Sequence, residues 1–285
     1  MKVFETAKEM RDWSRARKRQ GKTIGFAPTM GALHEGHASL MRAAARENDL
    51  AVASIFVNPA QFAPHEDFDK YPRTFEKDLE ISADAGVVAV YAPKASGMYP
   101  PDFSTHVLVG GVSEGLCGGS RPHFYRGVAT VVAKLFNAVE PDRAYFGQKD
   151  AQQTAVIRRM VRDLDMGLEI VEMPIVREAD GLAMSSRNRY LSPGERTRAL
   201  CLSRSLFAAR DALEAGERDA ARIKALVRGG MAGVNIDYVE LVDGVDMKPV
   251  DTVDGPVLLA VAAFLESARL IDNIKFEPAA QKGVI

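Results

Sequence analysis

Cysteine is nearly absent from this sequence: Cys117 and Cys201 are the only two, far apart in the chain. That excludes a disulfide framework and points to a reducing compartment. No Cys/His pairs stand at the spacing of a zinc finger or a zincin, so a zinc site lacks its ligands. Nowhere do eighteen apolar residues follow one another, which excludes a hydrophobic membrane-spanning helix. An excess of one charge is missing too. The 37 Lys+Arg face 38 Asp+Glu, a net charge of −1, and no overall field draws nucleic acid or a membrane surface. Internal repeats, low-complexity tracts and long linkers are absent, and Met1-Lys2-Val3-Phe4-Glu5-Thr6 runs into a charged helical stretch rather than a signal peptide. The expectation is a cytoplasmic protein. Its 285 residues, 47% hydrophobic and 26% charged, suffice for one large or two ordinary globular domains.

What the chain does contain is alternation. Thr6, with Glu9 three residues on, can cap a helix through Arg19 that Gly21 ends. Its string Arg11, Arg15, Arg17, Lys18 and Arg19 reads as a solvated face. The run Thr23–Ala27 reads as a buried strand, His37–Asn48 as a helix and Asp49–Val57 as a second buried strand. That spacing predicts a βαβ unit with parallel strands and a right-handed crossover. Helix Arg73–Ala85 then feeds strand Val87–Tyr91, helix Val128–Val139 feeds strand Arg143–Phe146, and helix Asp150–Asp165 precedes strand Leu168–Met173. Such alternation predicts an α/β fold, a doubly wound parallel sheet with helices on both faces. After Val176 the character changes. Ser192 and Pro193 open a helix to Ala215, a second covers Ala220–Met231, and Ile236–Val242 and Val257–Phe264 have strand character. The expected division is therefore 1–175 and a smaller α+β domain, 176–285.

Polar clusters fall just beyond apolar strands, where open α/β sheets bind ligands. The first is Pro28-Thr29-Met30-Gly31-Ala32-Leu33-His34-Glu35-Gly36-His37. Its two histidines share a face if they open a helix, whose free N–H groups and positive dipole end suit phosphate. Alone, the same residues could merely cap a helix. The second is Asn58-Pro59-Ala60-Gln61-Phe62, whose amides can donate and accept. The third is Gly147-Gln148-Lys149-Asp150 with Gln153 a turn beyond, a lysine placed as a point charge for phosphate. The fourth, Asp180-Gly181-Leu182-Ala183-Met184-Ser185-Ser186-Arg187-Asn188, offers two hydroxyls and a guanidinium to a polyphosphate. The combination carries the inference, since each cluster alone also suits an ordinary turn.

PTMGALHEGH, VNPAQF, FGQKDAQQ and MSSRN, in this order and spacing, resemble the pantoate–β-alanine ligase family over essentially the whole chain. That family belongs to the HxGH nucleotidyltransferase-like superfamily, whose HIGH and KMSKS signatures are echoed by His34–His37 and Met184–Arg187. The resemblance implies a Rossmann-like nucleotide- and pantoate-binding domain, a C-terminal domain closing over the site, and a homodimer. It implies a reaction with ATP and Mg²⁺ through a pantoyl adenylate, which β-alanine converts to pantothenate with release of AMP. It assigns catalysis to His37, His34 and Lys149. It assigns ATP to Met30, Gly31, Ala32, Leu33, His34, Glu35, Gly36, His37, Gly147, Gln148, Lys149, Asp150, Val176, Met184, Ser185, Ser186 and Arg187. Pantoate falls to Gln61, Gln153 and Arg121, and β-alanine to Gln61. Direct Mg²⁺ ligands, and a base for the amine, are not identified by the sequence.

One segment departs from the family pattern. The family usually has Pro-Gly-His-Phe where this chain has Pro122-His123-Phe124-Tyr125, and Cys117 takes the place of a glutamate. Arg121 keeps its position before Pro122 and is expected to keep an active-site role. His123 is expected to be dispensable, the alternative being that its imidazole reaches the family histidine's space from the neighbouring position, and Cys117 is expected to be packing. A cytidylyl- or adenylyltransferase would share HxGH but release a nucleotide-linked product. Gln61, Gln153 and the Met184–Asn188 segment oppose that reading. The balanced charge opposes a tRNA-binding protein, and the intact histidines and Lys149 oppose a catalytically dead interaction protein.

Overall fold

The computed structural model describes residues 1–64 and 66–278, and the chain divides into two compact units. The first comprises Met1–Ser113, Arg121–Val176 and Met184–Ser186; the second comprises Glu114–Ser120, Arg177–Ala183 and the described residues from Arg187 onward.

Six strands form the sheet of the first unit: β1 (Lys2–Phe4), β2 (Ile24–Thr29), β3 (Leu50–Ile55), β4 (Val87–Tyr91), β5 (Arg143–Gly147) and β6 (Glu169–Met173). Their order is β1-β4-β3-β2-β5-β6, and every neighbouring pair is parallel. Around them lie α1 (Ala7–Lys18), α2 (Glu35–Glu47), α3 (Phe75–Asp84), a single turn α4 (Ala95–Met98), α6 (Phe124–Val139) and α7 (Ala151–Asp163), while the short α5 (Cys117–Ser120) belongs to the second unit. Because side chains alternate along a strand, β2 feeds two cores. Ala27 joins Leu40 and Met41 of α2 in one cluster, and Phe26 points the other way, edge-on to Phe136 of α6 at 6.4 Å between ring centroids. Burial on both faces is what makes these strands read as unbroken apolar runs.

The strand order reverses between β2 and β5, the place where such sheets open a crevice at their carboxyl ends. Met30–His37 leaves the end of β2, and the 3₁₀ turn Gln148–Asp150 leaves the end of β5. The topology alone thus brings the first and third polar clusters to the switch point. The expected α/β doubly wound parallel sheet is present, with one strand more than the sequence suggests. Lys2–Phe4, expected to lead straight into a helix, instead pairs with β4 at the sheet edge.

In the second unit α8 (Pro193–Glu214) and α9 (Ala220–Gly230) pack on an antiparallel sheet of β7 (Asn235–Asp243), β8 (Val257–Phe264) and β9 (Arg269–Phe276). Leu206, Leu213, Ile223 and Val227 meet Val239, Leu241, Leu259 and Val261 in its core. The expected start of α8 is closed by a capping box: the Ser192 Oγ accepts from the Glu195 N–H at 3.3 Å, and the Ser192 N–H donates to the Glu195 carboxylate at 2.8 Å.

One close approach sets the second polar cluster. A Cβ on Gly127 of α6 would overlap the Ala60 carbonyl and lie 2.9 Å from the Gln61 nitrogen. Only glycine lets α6 reach the 3₁₀ turn Pro59–Gln61. Gly127→Ala is expected to cost about 1–3 kcal/mol of stability, the usual toll of overpacking, and urea unfolding measures it. An unchanged midpoint would mean that the turn gives way freely.

Candidate active site

The turn after β2 is held by its own hydrogen bonds. Thr29 Oγ1 donates to the Ser54 carbonyl at 2.7 Å and accepts from the Gly31 N–H at 3.1 Å. Gly31 and Ala32 then take left-handed backbone angles, φ +82° and +51°. For Ala32 this costs about 1–2 kcal/mol, so something must hold it there. That group is Asp78 of α3, whose carboxylate accepts from the Ala32 and Leu33 N–H groups at 2.9 and 2.8 Å. Nothing in the sequence signals Asp78, since a lone acidic residue in a helical stretch reads as surface. It is 1% exposed.

His34 is the N-cap of α2, with extended backbone angles, and the helix proper begins at Glu35, two residues before the expected start at His37. The His34 Nδ1 accepts from the Gly36 N–H at 3.1 Å, and the His34 N–H donates to the His37 Nδ1 at 3.4 Å. The rings lie 4.1 Å apart, centroid to centroid. Since a backbone donor faces Nδ1 of each ring, each neutral imidazole carries its proton on Nε2. Protein packed around the ring depresses the pKa of His37 well below its ordinary value of 6.5; any positive charge on the neighbouring His34 would push it the same way, as the charge of Lys149 does. At neutral pH His37 is therefore an uncharged N–H donor. Lys149 lies at the start of the crossover beyond β5, its Nζ 3.7 Å from the Asp150 carboxylate.

Around the second cluster Asn58, 1% exposed, donates to Gln61 Oε1 at 2.9 Å and to the Gly127 carbonyl at 3.2 Å. Its own Oδ1 accepts from the Tyr99 hydroxyl at 2.7 Å. The amide of Gln61 is thereby oriented, with Nε2 toward the Met30 sulfur at 3.1 Å. Arg121 donates to the Gln61 carbonyl at 3.1 Å and makes a bidentate pair with Glu66 at 2.7 and 2.5 Å. Its guanidinium also lies 3.9 Å from the Phe124 ring centroid. The charge of Arg121 is thus matched by a carboxylate that sequence reading did not connect to it. His123 is exposed at the start of α6 and makes no side-chain cap. Cys117 is buried in the second unit.

Of the two glutamines on α7, Gln152 is buried and tied to the Val112 carbonyl and the Tyr125 hydroxyl. Gln153 is half-buried, and its side chain makes no hydrogen bond among the described residues. The fourth cluster returns to the first unit through Met184–Ser186. The Met184 N–H donates to the Val176 carbonyl at 3.0 Å, and a Cβ on Gly36 would come 3.8 Å from the Met184 Cβ. The Ser186 hydroxyl lies 3.3 Å from that of Tyr71. Arg187, the next residue, is counted with the second unit. In the first unit, then, the structure brings together His34 with His37, Met30 with Gln61 and Arg121, and Met184 with Gly36. Among the described residues no three His, Cys, Asp or Glu side chains cluster as a resident metal requires, and no helix is long and apolar enough to cross a membrane.

A doubly wound sheet with a histidine-capped helix and a lysine at its switch point defines a class, the HxGH-type proteins. The chain belongs within it to the pantoate–beta-alanine ligase family, whose model matches residues 2–275, and it is a ligase. It is 55% identical over 276 residues to the pantothenate synthetase of Thermotoga petrophila, covering 96% of this chain and 99% of that one. The crystal structure of pantothenate synthetase from Thermus thermophilus superposes with a TM-score of 0.92 at 42% identity, covering 98% and 100% of the two chains. The pantoate–beta-alanine ligase of Francisella tularensis, solved in complex with β,γ-ATP and β-alanine, gives a TM-score of 0.76 at 29% identity, covering 96% and 97%.

Proposed function

We propose that this chain condenses (R)-pantoate with β-alanine to (R)-pantothenate, using ATP and releasing AMP and pyrophosphate through an enzyme-bound pantoyl adenylate. The observation that carries the reading is the histidine-capped turn at the sheet's switch point, with neutral His37 beside the charge of Lys149. A carboxylate does not acylate an amine at neutral pH until one of its oxygens becomes part of a good leaving group. A pantoate carboxylate oxygen attacks the α-phosphorus and pyrophosphate departs. The amine of β-alanine then attacks the acyl carbon, and AMP leaves with that oxygen.

The segments Met30–His37 and Gly147–Asp150, with Val176 and Met184–Arg187, form the ATP subsite in this reading. His34 and His37 donate from Nε2 to the α-phosphate as negative charge builds there, a preorganised stabilisation that needs no proton transfer. Lys149, Ser185, Ser186 and Arg187 hold the triphosphate. Among the described residues no cluster of His, Cys, Asp or Glu side chains builds a protein-ligated Mg²⁺ site; the ion would come with ATP, held by phosphate oxygens and water, as Mg²⁺ commonly is. Gln61 and Gln153 hold pantoate, with Gln61 also meeting β-alanine, and Arg121 supports them. The enzyme acts in the cytoplasm as a homodimer.

AMP release measured with each substrate omitted in turn tests the reaction, and the reading requires all three. Release of AMP without β-alanine, at the full rate and over many turnovers, would overturn it. Gln61→Ala and Gln153→Ala are expected to raise the KM for pantoate more than that for ATP. A buried hydroxyl that loses its partner costs about 1–3 kcal/mol, roughly five- to 150-fold in affinity. Unaltered pantoate saturation with weakened ATP binding would place both residues in the nucleotide subsite instead.

A further inference from the structure

Three carboxylates are buried among the described residues: Asp78, Glu195 and Asp272. Asp272 pairs with Arg177, and Glu195 completes the cap of α8. Asp78 has no cationic partner among the described residues. Its donors are the Ala32 and Leu33 N–H groups at 2.9 and 2.8 Å and the Thr74 hydroxyl at 3.1 Å. Two of those three belong to the turn that ends at His34. A carboxylate set into successive backbone N–H groups is the internal counterpart of an anion in a backbone nest. Gly31 is fitted to it from the other side, since a Cβ there would lie 2.9 Å from Asp78 Oδ2 and 3.1 Å from Ile55 Cγ2. The turn cannot slide along the carboxylate in either direction without losing a bond or making a clash.

We propose that Asp78 is the positioning residue of the histidine turn: its carboxylate fixes the Ala32–Leu33 backbone, and through it the placement of the His34 and His37 rings. The functional part of this rests on the ATP reading above. Asp78 touches no substrate. A charged acceptor is needed because both oxygens accept N–H bonds at once, and an amide of the same shape offers one acceptor and one mismatched donor.

The test compares Asp78→Asn with Thr74→Val, which removes one donor to the carboxylate, and with Ser82→Ala. The Ser82 hydroxyl bonds the Asp78 backbone carbonyl at 2.7 Å and not its carboxylate. Asp78→Asn is expected to slow single-turnover pyrophosphate formation about 10²-fold, the cost of a displacement near 1 Å, with the KM for β-alanine unchanged. Thr74→Val should act in the same direction and less. Ser82→Ala should lower the melting temperature and leave the ATP half-reaction intact. A readout independent of catalysis is the NMR spectrum of the histidine rings. Asp78→Asn should shift His34 and His37 and leave His106 and His123 in place, and Ser82→Ala should shift none. If Asp78→Asn leaves the His34 and His37 resonances where they are, or lowers only the folded fraction as Ser82→Ala does, the positioning role is wrong. Failure of wild-type protein to form pyrophosphate from ATP and pantoate would overturn the functional reading while the ring shifts still decide the role of Asp78.

Discussion

Replacing His37 with alanine is expected to slow pyrophosphate formation in a single turnover by about 10²–10³-fold, the range for removing one preorganised hydrogen-bond donor at the reacting centre. Its pH dependence separates the two forms of the ring. Burial depresses the pKa of His37 well below 6.5, so the neutral form dominates at and above that pH and is lost only as pH falls toward the depressed value. If the neutral Nε2–H is the working group, adenylation shows no His37 inflection between about pH 6.5 and 8. If imidazolium were needed, the rate would climb as the pH is lowered through that window. Near-wild-type adenylation by His37→Ala would sink the assignment outright.

Lys149→Ala is expected to depress the same step by about 10²–10³-fold, the scale for removing one preorganised electrostatic contact. Lys149 is largely enclosed, at 23% side-chain exposure, and the Asp150 carboxylate at 3.7 Å is the more exposed partner, so the cation is placed rather than merely solvated. The substitution also removes one of the charges that hold the His37 pKa down, and the acid limb of the rate profile should therefore move to higher pH. Lys149→Arg keeps the charge and should recover part of the rate. A loss confined to the attack of β-alanine would show that Lys149 does not serve the triphosphate.

The sheet was legible because its strands are buried on both faces and so appear as apolar runs such as IGFAP and LAVASI, separated by helical periods. Lys2–Phe4 was not, since three residues at an edge, two of them exposed, carry no pattern. β9 was hidden for the opposite reason. Asp272 and Asn273 are buried in its middle, and they break the alternation that would have marked Arg269–Phe276 as a strand. Asp272 is there to hold Arg177, at 2.6 and 3.0 Å, a pairing between segments far apart in the chain that no local window reveals. The four polar clusters could be read because each follows a strand. Their supports could not. Asp78, Glu66 and Tyr99 lie outside the motifs, and each acts through a contact made only on folding. The capping role of His34 is a further case: histidine is an unusual N-cap, so the sequence pattern marks a start at His37, two residues after the true start at Glu35.

The adenylate is the central claim, and the fate of one oxygen tests it most directly. Pantoate labelled with ¹⁸O in its carboxylate is turned over with ATP and β-alanine, and AMP, pyrophosphate and pantothenate are examined by mass spectrometry. Attack of the carboxylate on the α-phosphorus predicts one ¹⁸O in each AMP, one retained in the amide carbonyl of pantothenate and none in pyrophosphate. Label in released phosphate, with ADP as the nucleotide product, or unlabelled AMP at full pantothenate yield, would contradict it.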